Sequence, residues 1–295
     1  MWPKRSRIDP GAPMSDQRFI LEPGQPGYPP QLIATPEPPK RLYGIGDPGL
    51  ISPGLAIVGA RKATPYGLRA TRLFASWSAG AGLAVISGAA IGCDGEAHRA
   101  AIDAGGVTIA VLGCGADVDY PRRSADMLAH MRSHAVVLSE LPFGTPPARW
   151  AFVRRNRIIA GLARALLVVE AGLPSGTFST ADAALDAGRD VFVVPGSIFS
   201  PESRGSNRLM RQGAVPVTDV SELADALGMT GIHHRTAATQ IECDSVTRAL
   251  AADPQRPDDL ARALGIDIVS AARTLGRLES SGAIVRYADG RYGVG

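Results

Sequence analysis

Residues 152–177 bring together side chains and a loop that are both suited to phosphate. Within this segment, residues 154–157 read Arg-Arg-Asn-Arg and stand just ahead of an aliphatic stretch. An apolar strand then leads into residues 175–177, Ser-Gly-Thr, which open another helix. Guanidinium groups bind phosphate bidentately, and the N-terminus of a helix binds anions. The segment therefore predicts a protein that holds a phosphorylated ligand, with a nucleic-acid strand as one candidate.

Aromatic side chains accompany these arginines. Trp150 and Phe152 stand beside Arg149 and just before the basic run. Single-stranded nucleic acid is held by a basic track together with aromatic faces on which bases stack, each stack contributing about 1–3 kcal/mol. The alternative is that one aromatic belongs to the core and the arginines are solvated. The clustering of charge ahead of an apolar helix favours binding.

A second loop, residues 59–65, also follows a strand and precedes a helix. Thr64 is a suitable N-cap, and Pro65 suits the first helical position. Gly59 permits a close approach of the backbone to a ligand, and Arg61 could clamp a phosphate. An ordinary capped turn with a solvent-facing arginine explains the same residues equally well. The dinucleotide fingerprint GxGxxG is missing.

Three further side chains raise the question of catalysis. Asp94 and His98 stand one helical turn apart, where they could form an acid–base or metal pair. The more usual arrangement is a capping carboxylate and a separately hydrogen-bonded histidine. Cys114 ends a strand but has no histidine beside it in sequence, so a nucleophile is not favoured. The three cysteines are far apart and form no CxxC pair, which predicts no metal site and a reducing, cytoplasmic location.

The pattern of apolar runs predicts an α/β fold. Helical stretches separate most of these strand-like runs, which cover residues 55–58, 83–86, 107–112, 135–138, 165–169 and 191–194. Strands that are apolar on both faces indicate a parallel sheet covered by helices on both sides. Ligands bind such sheets at the carboxyl ends of the strands, near the switch in strand order. The two phosphate-type loops should therefore meet there.

The chain divides, on its pattern, into four parts. Residues 1–27 are predicted to be a disordered basic head, and residues 28–228 an extended Rossmann-like, doubly wound, mostly parallel domain. Residues 1 to about 50 are proline-rich without periodicity, and residues 28–39 are expected to lie extended on the surface of the domain. A linker at 229–241 precedes a winged-helix-like module at 242–295, with three helices and a hairpin around Asp289-Gly290.

Bulk composition narrows the functional classes. The 295 residues carry a net charge of only +3, so any nucleic-acid surface must be local. No apolar run reaches the roughly 18 residues of a membrane helix, which predicts no membrane partner.

Taken in order, several motifs resemble the DNA-processing protein A family, also called Smf, from about residue 28 to the C-terminus. They are AIVGARKATPYG, VISGAAIGCDGEAH, TIAVLGCGADVDYP, RRNRIIAGL, LVVEAGLPSGTFSTA, GRDVFVVPG and GSNRLMRQGA. The resemblance implies an extended Rossmann-like domain with no cofactor and no metal. It implies a non-enzymatic, dimeric protein that binds single-stranded DNA during natural transformation, loads the RecA recombinase and displaces single-strand-binding protein.

Carried over position by position, the resemblance also implies the residues of a DNA channel at the strand-end edge. These are Gly59, Arg61, Arg149, Phe152, Arg155, Asn156, Arg157, Ser175, Gly176 and Thr177. Two positions depart from the family pattern: Ala60 replaces a serine and Ile91 an arginine that relatives commonly carry.

Two other functions compete with DNA binding. Nucleotide-processing phosphoribohydrolases share a related fold but use PGGxGTxxE with a catalytic glutamate, and here Thr180 stands in the glutamate position. Glu170 and Asp182 are near but out of register. A winged-helix transcription regulator is the other alternative. Its recognition helix would carry only Arg273 and Arg277, which is sparse for duplex contacts, so the module is expected to serve as a partner or dimer element.

Overall fold

The computed structural model describes residues 17–229, 237–280, 282–287 and 289–294, without the side chains of 237–244, 277 and 280. The chain separates into two compact units, Met1–Thr230 and Gly231–Gly295. Sheet strands of the first unit are β1 (Arg18–Leu21), β2 (Leu42–Gly46), β3 (Gly54–Val58), β4 (Ala84–Ser87), β5 (Thr108–Leu112), β6 (Val136–Ser139), β7 (Ala163–Val168), β8 (Asp190–Val193) and β9 (Val215–Pro216). Its helices are α1 (Pro30–Ile33), α2 (Pro65–Gly80), α3 (Cys93–Asp103), α4 (Ala125–His134), α5 (Arg149–Leu162), α6 (Thr177–Asp186), α7 (Arg204–Arg211) and α8 (Val220–Ala226).

The nine strands form one mostly parallel sheet in the order β1-β2-β6-β5-β4-β3-β7-β8-β9. From β3 the chain builds outward to β6, then returns through α5 to place β7 on the other side of β3. The switch in strand order therefore lies between β3 and β7, which pair in parallel. The predicted α/β doubly wound fold is confirmed, and each of the six predicted strands is present within one or two residues.

Helices cover both faces of the sheet. The apolar residues of α2 and α3, including Phe74 and Ala97, pack with Leu55, Ile57 and Leu167 on one face. On the other face α5 and α6 pack against the alternate residues of the same strands. The period of two along each strand explains why both faces are apolar. As predicted, α2 starts at a Thr64 cap, whose hydroxyl accepts a 3.1 Å hydrogen bond from the backbone N–H of Gly67.

The N-terminal segment differs from its prediction. Residues 1–16 of the expected head lie outside the described residues, but residues 18–21 form β1, inside the region assigned to the head. β2 pairs antiparallel with both β1 and β6, so it belongs to the sheet. Within residues 28–39, which were predicted to be extended on the surface, Pro30–Ile33 instead form α1. Leu32 and Leu42 are fully buried in the core. The sequence pattern does not reveal β1 and β2, because both strands are short, the region is rich in proline, and neither strand belongs to a β–α–β repeat.

The C-terminal unit contains α9 (Ala237–Ala252), α10 (Pro257–Leu264), α11 (Ile268–Ser280), β10 (Val285–Arg286) and β11 (Tyr292–Gly293). The two strands form an antiparallel hairpin. A small core holds the unit together through Val246, Leu250, Leu260, Leu275 and Ile284. The predicted three helices and hairpin are present. However, α9 starts inside the predicted linker, of which residues 230–236 lie outside the described residues.

Burial of α1 yields a test of the corrected N-terminal boundary. Leu32 is 0% exposed and packs in the main core, whereas its neighbour Ile33 is 52% exposed. We expect Leu32→Ala to lower the free energy of unfolding by about 2–5 kcal/mol, since it leaves a cavity, and Ile33→Ala to lower it by no more than about 0.5 kcal/mol. Urea unfolding of the two variants measures the difference. Equal, small effects would mean that this segment does not belong to the core.

Candidate functional site

A cavity of about 470 Å³ opens at the switch point, between the loops that follow β3 and β7. The N-terminal half of α5 and the first turn of α6 complete its wall. Eight of the ten residues predicted from sequence line it: Gly59, Arg61, Phe152, Arg155, Asn156, Ser175, Gly176 and Thr177. The two phosphate-type loops, more than a hundred residues apart in sequence, therefore meet in one cavity.

Arg155 lies in the wall of this cavity and is buried, with 7% of its surface exposed. Its Nη1 donates to the backbone carbonyl of Gly88 at 2.8 Å and also to that of Val111. These carbonyls follow or end β4 and β5, so a single guanidinium ties α5 to two strands. Burial lowers the pKa of Arg155, which the nearby carboxylate of Asp94 partly offsets. The sequence predicted a ligand contact, and in the structure Arg155 both lines the cavity and anchors α5 to these strands.

Two glycines make room for buried side chains at this edge. A Cβ on Gly88 would lie 2.3 Å from Nη1 of Arg155, so this position accepts no side chain without moving the guanidinium. A Cβ on Gly59 would lie 2.5 Å from Sγ of Cys93. Gly59 lines the cavity, as expected, but its missing side chain serves packing against α3.

Asn156 connects α5 to the loop before α6. Its Nδ2 donates to Oγ of Ser179 at 2.8 Å, and Ser179 donates in turn to the backbone carbonyl of Gly176 at 2.8 Å. Within the loop, the hydroxyl of Ser175 accepts from the N–H of Thr177 at 3.2 Å. Gly176 stands at the N-cap position of α6, where no side chain caps the helix. The N-terminus of α6, with its partial positive charge, borders the cavity.

Phe152 stands at the mouth of the cavity, in contact with two other side chains. The guanidinium carbon of Arg61 lies 5.9 Å from the centre of its ring. The ring of Tyr120 also packs on the ring of Phe152, with the two ring centroids 5.4 Å apart. Sequence analysis did not select Tyr120. The sequence did place Tyr120 in the loop after β5, at the same edge of the sheet as the cavity, and this position could have identified it as a candidate site residue.

The remaining predicted arginines are not in the cavity. Arg157 and Arg154 both pair with Glu140, at 2.6 and 2.9 Å. Arg149 is exposed at the start of α5 and does not line the cavity. Because successive residues of a helix are turned by about 100°, residues 154 and 157 share one side of α5 while 155 and 156 face the cavity. The basic run is contiguous only in sequence.

Glu170 is buried immediately after β7 and is fully engaged. Its Oε2 accepts from the backbone N–H of Thr64 at 2.8 Å, and its Oε1 accepts from the Thr64 hydroxyl at 2.7 Å. The carboxylate therefore fixes the start of α2, across the switch point. Thr180 lines the cavity at the position where a hydrolase would carry its glutamate.

Asp94 and His98 do not act on each other. Asp94 accepts from the backbone N–H of Gly88 at 3.2 Å, and burial raises its pKa even though Arg155 lowers it. Nδ1 of His98 lies 2.7 Å from Oγ1 of Thr108, whose own hydroxyl donates to a backbone carbonyl. Nδ1 must therefore carry the proton, and Nε2 has no hydrogen-bond partner among the described residues. Burial lowers the pKa of His98 to about 3.

Among the described residues, no group of three or more histidine, cysteine or acidic side chains is placed to hold a metal ion. Within the same ranges no helix combines the length and apolarity needed to cross a bilayer. Burial raises the pKa of Cys93 to about 12 and that of Cys114 to about 11, so both remain thiols near neutral pH.

Comparison with known families decides where this site belongs. Residues 19–228 match the family model of DNA recombination-mediator protein A, and residues 234–290 match that of the DprA winged helix domain. The chain belongs to the DNA recombination-mediator protein A family. Among curated relatives, protein Smf of Escherichia coli is 45% identical over 70% of this chain and 55% of its own length. DNA processing protein DprA of Bacillus subtilis is 39% identical over 68% of each chain. The chain spans about half the length of several curated relatives it matches.

Solved structures of DprA proteins share the fold. DNA processing protein A from Streptococcus pneumoniae superposes with a TM-score of 0.67 at 35% identity, covering 70% of this chain and 73% of that one. Its counterpart from Helicobacter pylori gives a TM-score of 0.65 at 29% identity, covering 73% and 98%. That protein is described for its single-stranded DNA binding mode. The family resemblance seen in the sequence is confirmed, and so is the winged-helix module.

The position of Arg155 in this DprA-family fold leads to a stability prediction. We expect Arg155→Met to lower the free energy of unfolding by about 3–5 kcal/mol, because it leaves two buried carbonyls without their donor and removes the positive charge near buried Asp94. Arg61→Ala, at an exposed arginine of the same cavity, should change it by no more than about 0.5 kcal/mol. Chemical denaturation measures both. A loss below about 1 kcal/mol for Arg155→Met would contradict the anchoring role.

His98 gives this DprA-family domain a predictable acid sensitivity. Its folded-state pKa, about 3, lies below the ordinary value of 6.5. The histidine therefore contributes stability that is present above about pH 6.5 and is lost as the pH falls towards 3. Between pH 7 and pH 5 the loss should be about 2 kcal/mol, since each unit below the unfolded pKa costs about 1.4 kcal/mol. Unfolding of the wild type and His98→Gln at both pH values isolates this contribution, because other groups titrate alike in the two proteins. An identical pH dependence would contradict it.

Proposed function

We propose that this protein binds single-stranded DNA, with the cavity at the switch point as the primary contact. The observation that carries the proposal is that Arg61, the N-terminus of α6 and Phe152 all border the same cavity. The first two favour phosphate, and the third is an aromatic surface for a base. A strand offers both groups in every nucleotide.

Arg61 is the cationic side chain best placed to bind a phosphate. Arg61 is exposed and forms no ion pair within the described residues. It lies over the ring of Phe152, which limits its freedom without neutralising its charge. By contrast, the guanidinium of Arg155 is already committed to backbone carbonyls.

The size and lining of the cavity favour a single strand over a duplex. A volume of about 470 Å³ suits a nucleotide-sized group. Bases in a duplex are stacked internally and cannot reach Phe152, whereas a single strand can present a base and its phosphate together. The sparse basic side chains of α11 agree with this preference, because duplex recognition needs more of them.

Binding is proposed here instead of catalysis. Both carboxylate oxygens of Glu170 accept hydrogen bonds from Thr64, so this group is committed to positioning α2. A threonine, Thr180, occupies the wall where a nucleotide hydrolase needs a general acid or base. These two placements support a non-enzymatic site.

The wider role rests on family membership. We infer that the protein is a cytoplasmic homodimer that loads the RecA recombinase onto incoming single strands during natural transformation. In that role it would displace single-strand-binding protein. The family description, recombination-mediator protein, and the DNA-binding relative from Helicobacter pylori support these inferences.

Oligo-dT binding by the full chain tests the primary proposal. Arg61→Ala should weaken binding about tenfold or more, since a charge-assisted hydrogen bond contributes about 1.5–3 kcal/mol. It should also reduce the slope of log affinity against log salt by about 0.7, the value for one single-strand phosphate. Fluorescence anisotropy over a salt series measures both quantities.

Arg164→Ala is the matched control. Arg164 is exposed at the start of β7, the edge of the sheet opposite the cavity, and donates to the backbone carbonyl of Leu227 at 3.1 Å. Its removal should leave affinity within about twofold. Equal binding by Arg61→Ala and wild type would refute the site. Tighter binding of a duplex would favour a transcription regulator, and release of free base from nucleoside monophosphates would favour a hydrolase.

A further inference from the structure

Tyr120 presents an accessible aromatic ring next to the cavity. Its side chain lies in the loop after β5 and packs on Phe152 with centroids 5.4 Å apart and ring planes inclined by 30°. Tyr120 is 41% exposed. Base stacking needs an aromatic face that solvent can reach, and Tyr120 has one.

Phe152 is less available than its sequence position suggests. It is half-buried, and a Cβ on Gly113 would lie 2.6 Å from its ring. The guanidinium of Arg61 and the ring of Tyr120 occupy further parts of its surface. Much of the ring is therefore already packed within the protein, so a base that continues beyond the cavity meets Tyr120.

The segment that carries Tyr120 is fixed against the wall of the site. Buried Ser124 donates from its hydroxyl to the backbone carbonyl of Ala89 at 3.2 Å, in the loop that follows β4. Its own N–H bonds to the carbonyl of Pro121 at 2.8 Å. Held in this way, residues 120–124 extend the carboxyl edge of the sheet from the cavity past the ends of β4 and β5.

Positive charge on this segment is not neutralised by its neighbours. Arg122 and Arg123 are exposed, and neither forms an ion pair within the part of the chain that the structure describes. The two acidic residues just before them already have partners: Asp117 pairs with Arg18 at 3.3 Å, and Asp119 with Arg132 at 2.7 Å. The segment therefore combines one exposed ring with two available guanidinium groups.

We propose that residues 120–123 form a second contact for the strand: Tyr120 stacks a base, and Arg122 and Arg123 bind the adjoining phosphates. This inference rests on the proposed function and deepens it, because it gives the strand a path along the sheet edge from the cavity to the end of β5. Neither Arg157 nor Arg154 continues the path, since both are paired with Glu140.

The path predicts that the effect of a substitution depends on the length of the oligonucleotide. The full chain is titrated with oligo-dT of about four and about sixteen nucleotides, which span the usual range of single-strand site sizes. Tyr120→Ala should weaken binding of the longer strand about tenfold and that of the shorter strand less than twofold, because the shorter strand fills only the cavity. Tyr120→Phe should bind like the wild type, since stacking needs only the ring.

The arginines are tested separately through salt. Arg122→Ala/Arg123→Ala should reduce the salt slope of the longer strand by about 1.4, because each single-strand phosphate contact contributes about 0.7. Arg164→Ala removes a charge at an exposed site at the opposite edge of the sheet and should leave the slope unchanged. Circular dichroism checks that every variant is folded. If Tyr120→Ala itself unfolds, Tyr120→Phe and the arginine pair still decide the question.

Failure of this inference is distinguishable from failure of the proposed function. If Arg61→Ala weakens both lengths while the Tyr120 and arginine variants weaken neither, the second contact is wrong and the cavity stands. If Tyr120→Ala weakens both lengths equally, it acts through Phe152 inside the cavity, which also overturns the second contact. Loss of binding in Tyr120→Phe would exclude stacking as its basis. If Arg61→Ala changes nothing at either length, the proposed function itself fails.

Discussion

The guanidinium of Arg155 is buried where α5 crosses the carboxyl ends of β4 and β5, and its hydrogen bonds to two main-chain carbonyls hold the helix there. Those bonds require a glycine at position 88, because any side chain there would occupy the space of the guanidinium. Asp94 supplies the nearby negative charge that a buried arginine needs. With α5 held in this way, Phe152 and Asn156 are aimed at the mouth and wall of the cavity.

Helical geometry then places the residues of the basic run, 154–157, on two different sides of α5. Residues 155 and 156 turn towards the strand ends, where they support the loops of the site. Arg154 and Arg157 turn to Glu140 and form ion pairs at 2.9 and 2.6 Å. Exposed cationic side chains on loops that follow strands include Arg61, Arg122 and Arg123. A locally neutralised helix beside a few unpaired loop arginines reconciles the proposed DNA binding with a net charge of only +3.

The same division between support and contact agrees with the proposed role of this site in binding. Both carboxylate oxygens of Glu170 accept hydrogen bonds from Thr64 at the start of α2. These bonds connect the loop after β7 to the loop after β3, across the switch point. Thr180 leaves the cavity wall without a carboxylate at the hydrolase position. The other groups at this edge include a helix N-terminus, an exposed arginine and aromatic rings, which suit the proposed binding of a strand.

The sequence by itself determined the parallel strands, the capped α2, the three helices and hairpin of the C-terminal unit, and the meeting of two loops at one edge. Each depends on local periodicity, or on the rule that parallel strands end together. Only the tertiary structure decided that Arg155 is an anchor, that Arg157 faces Glu140, and that Tyr120 joins Phe152. It also decided that residues 18–21 belong to the sheet. Side-chain roles at this site depend on which carbonyls, carboxylates and rings lie within a few ångströms, and these come from segments tens of residues apart.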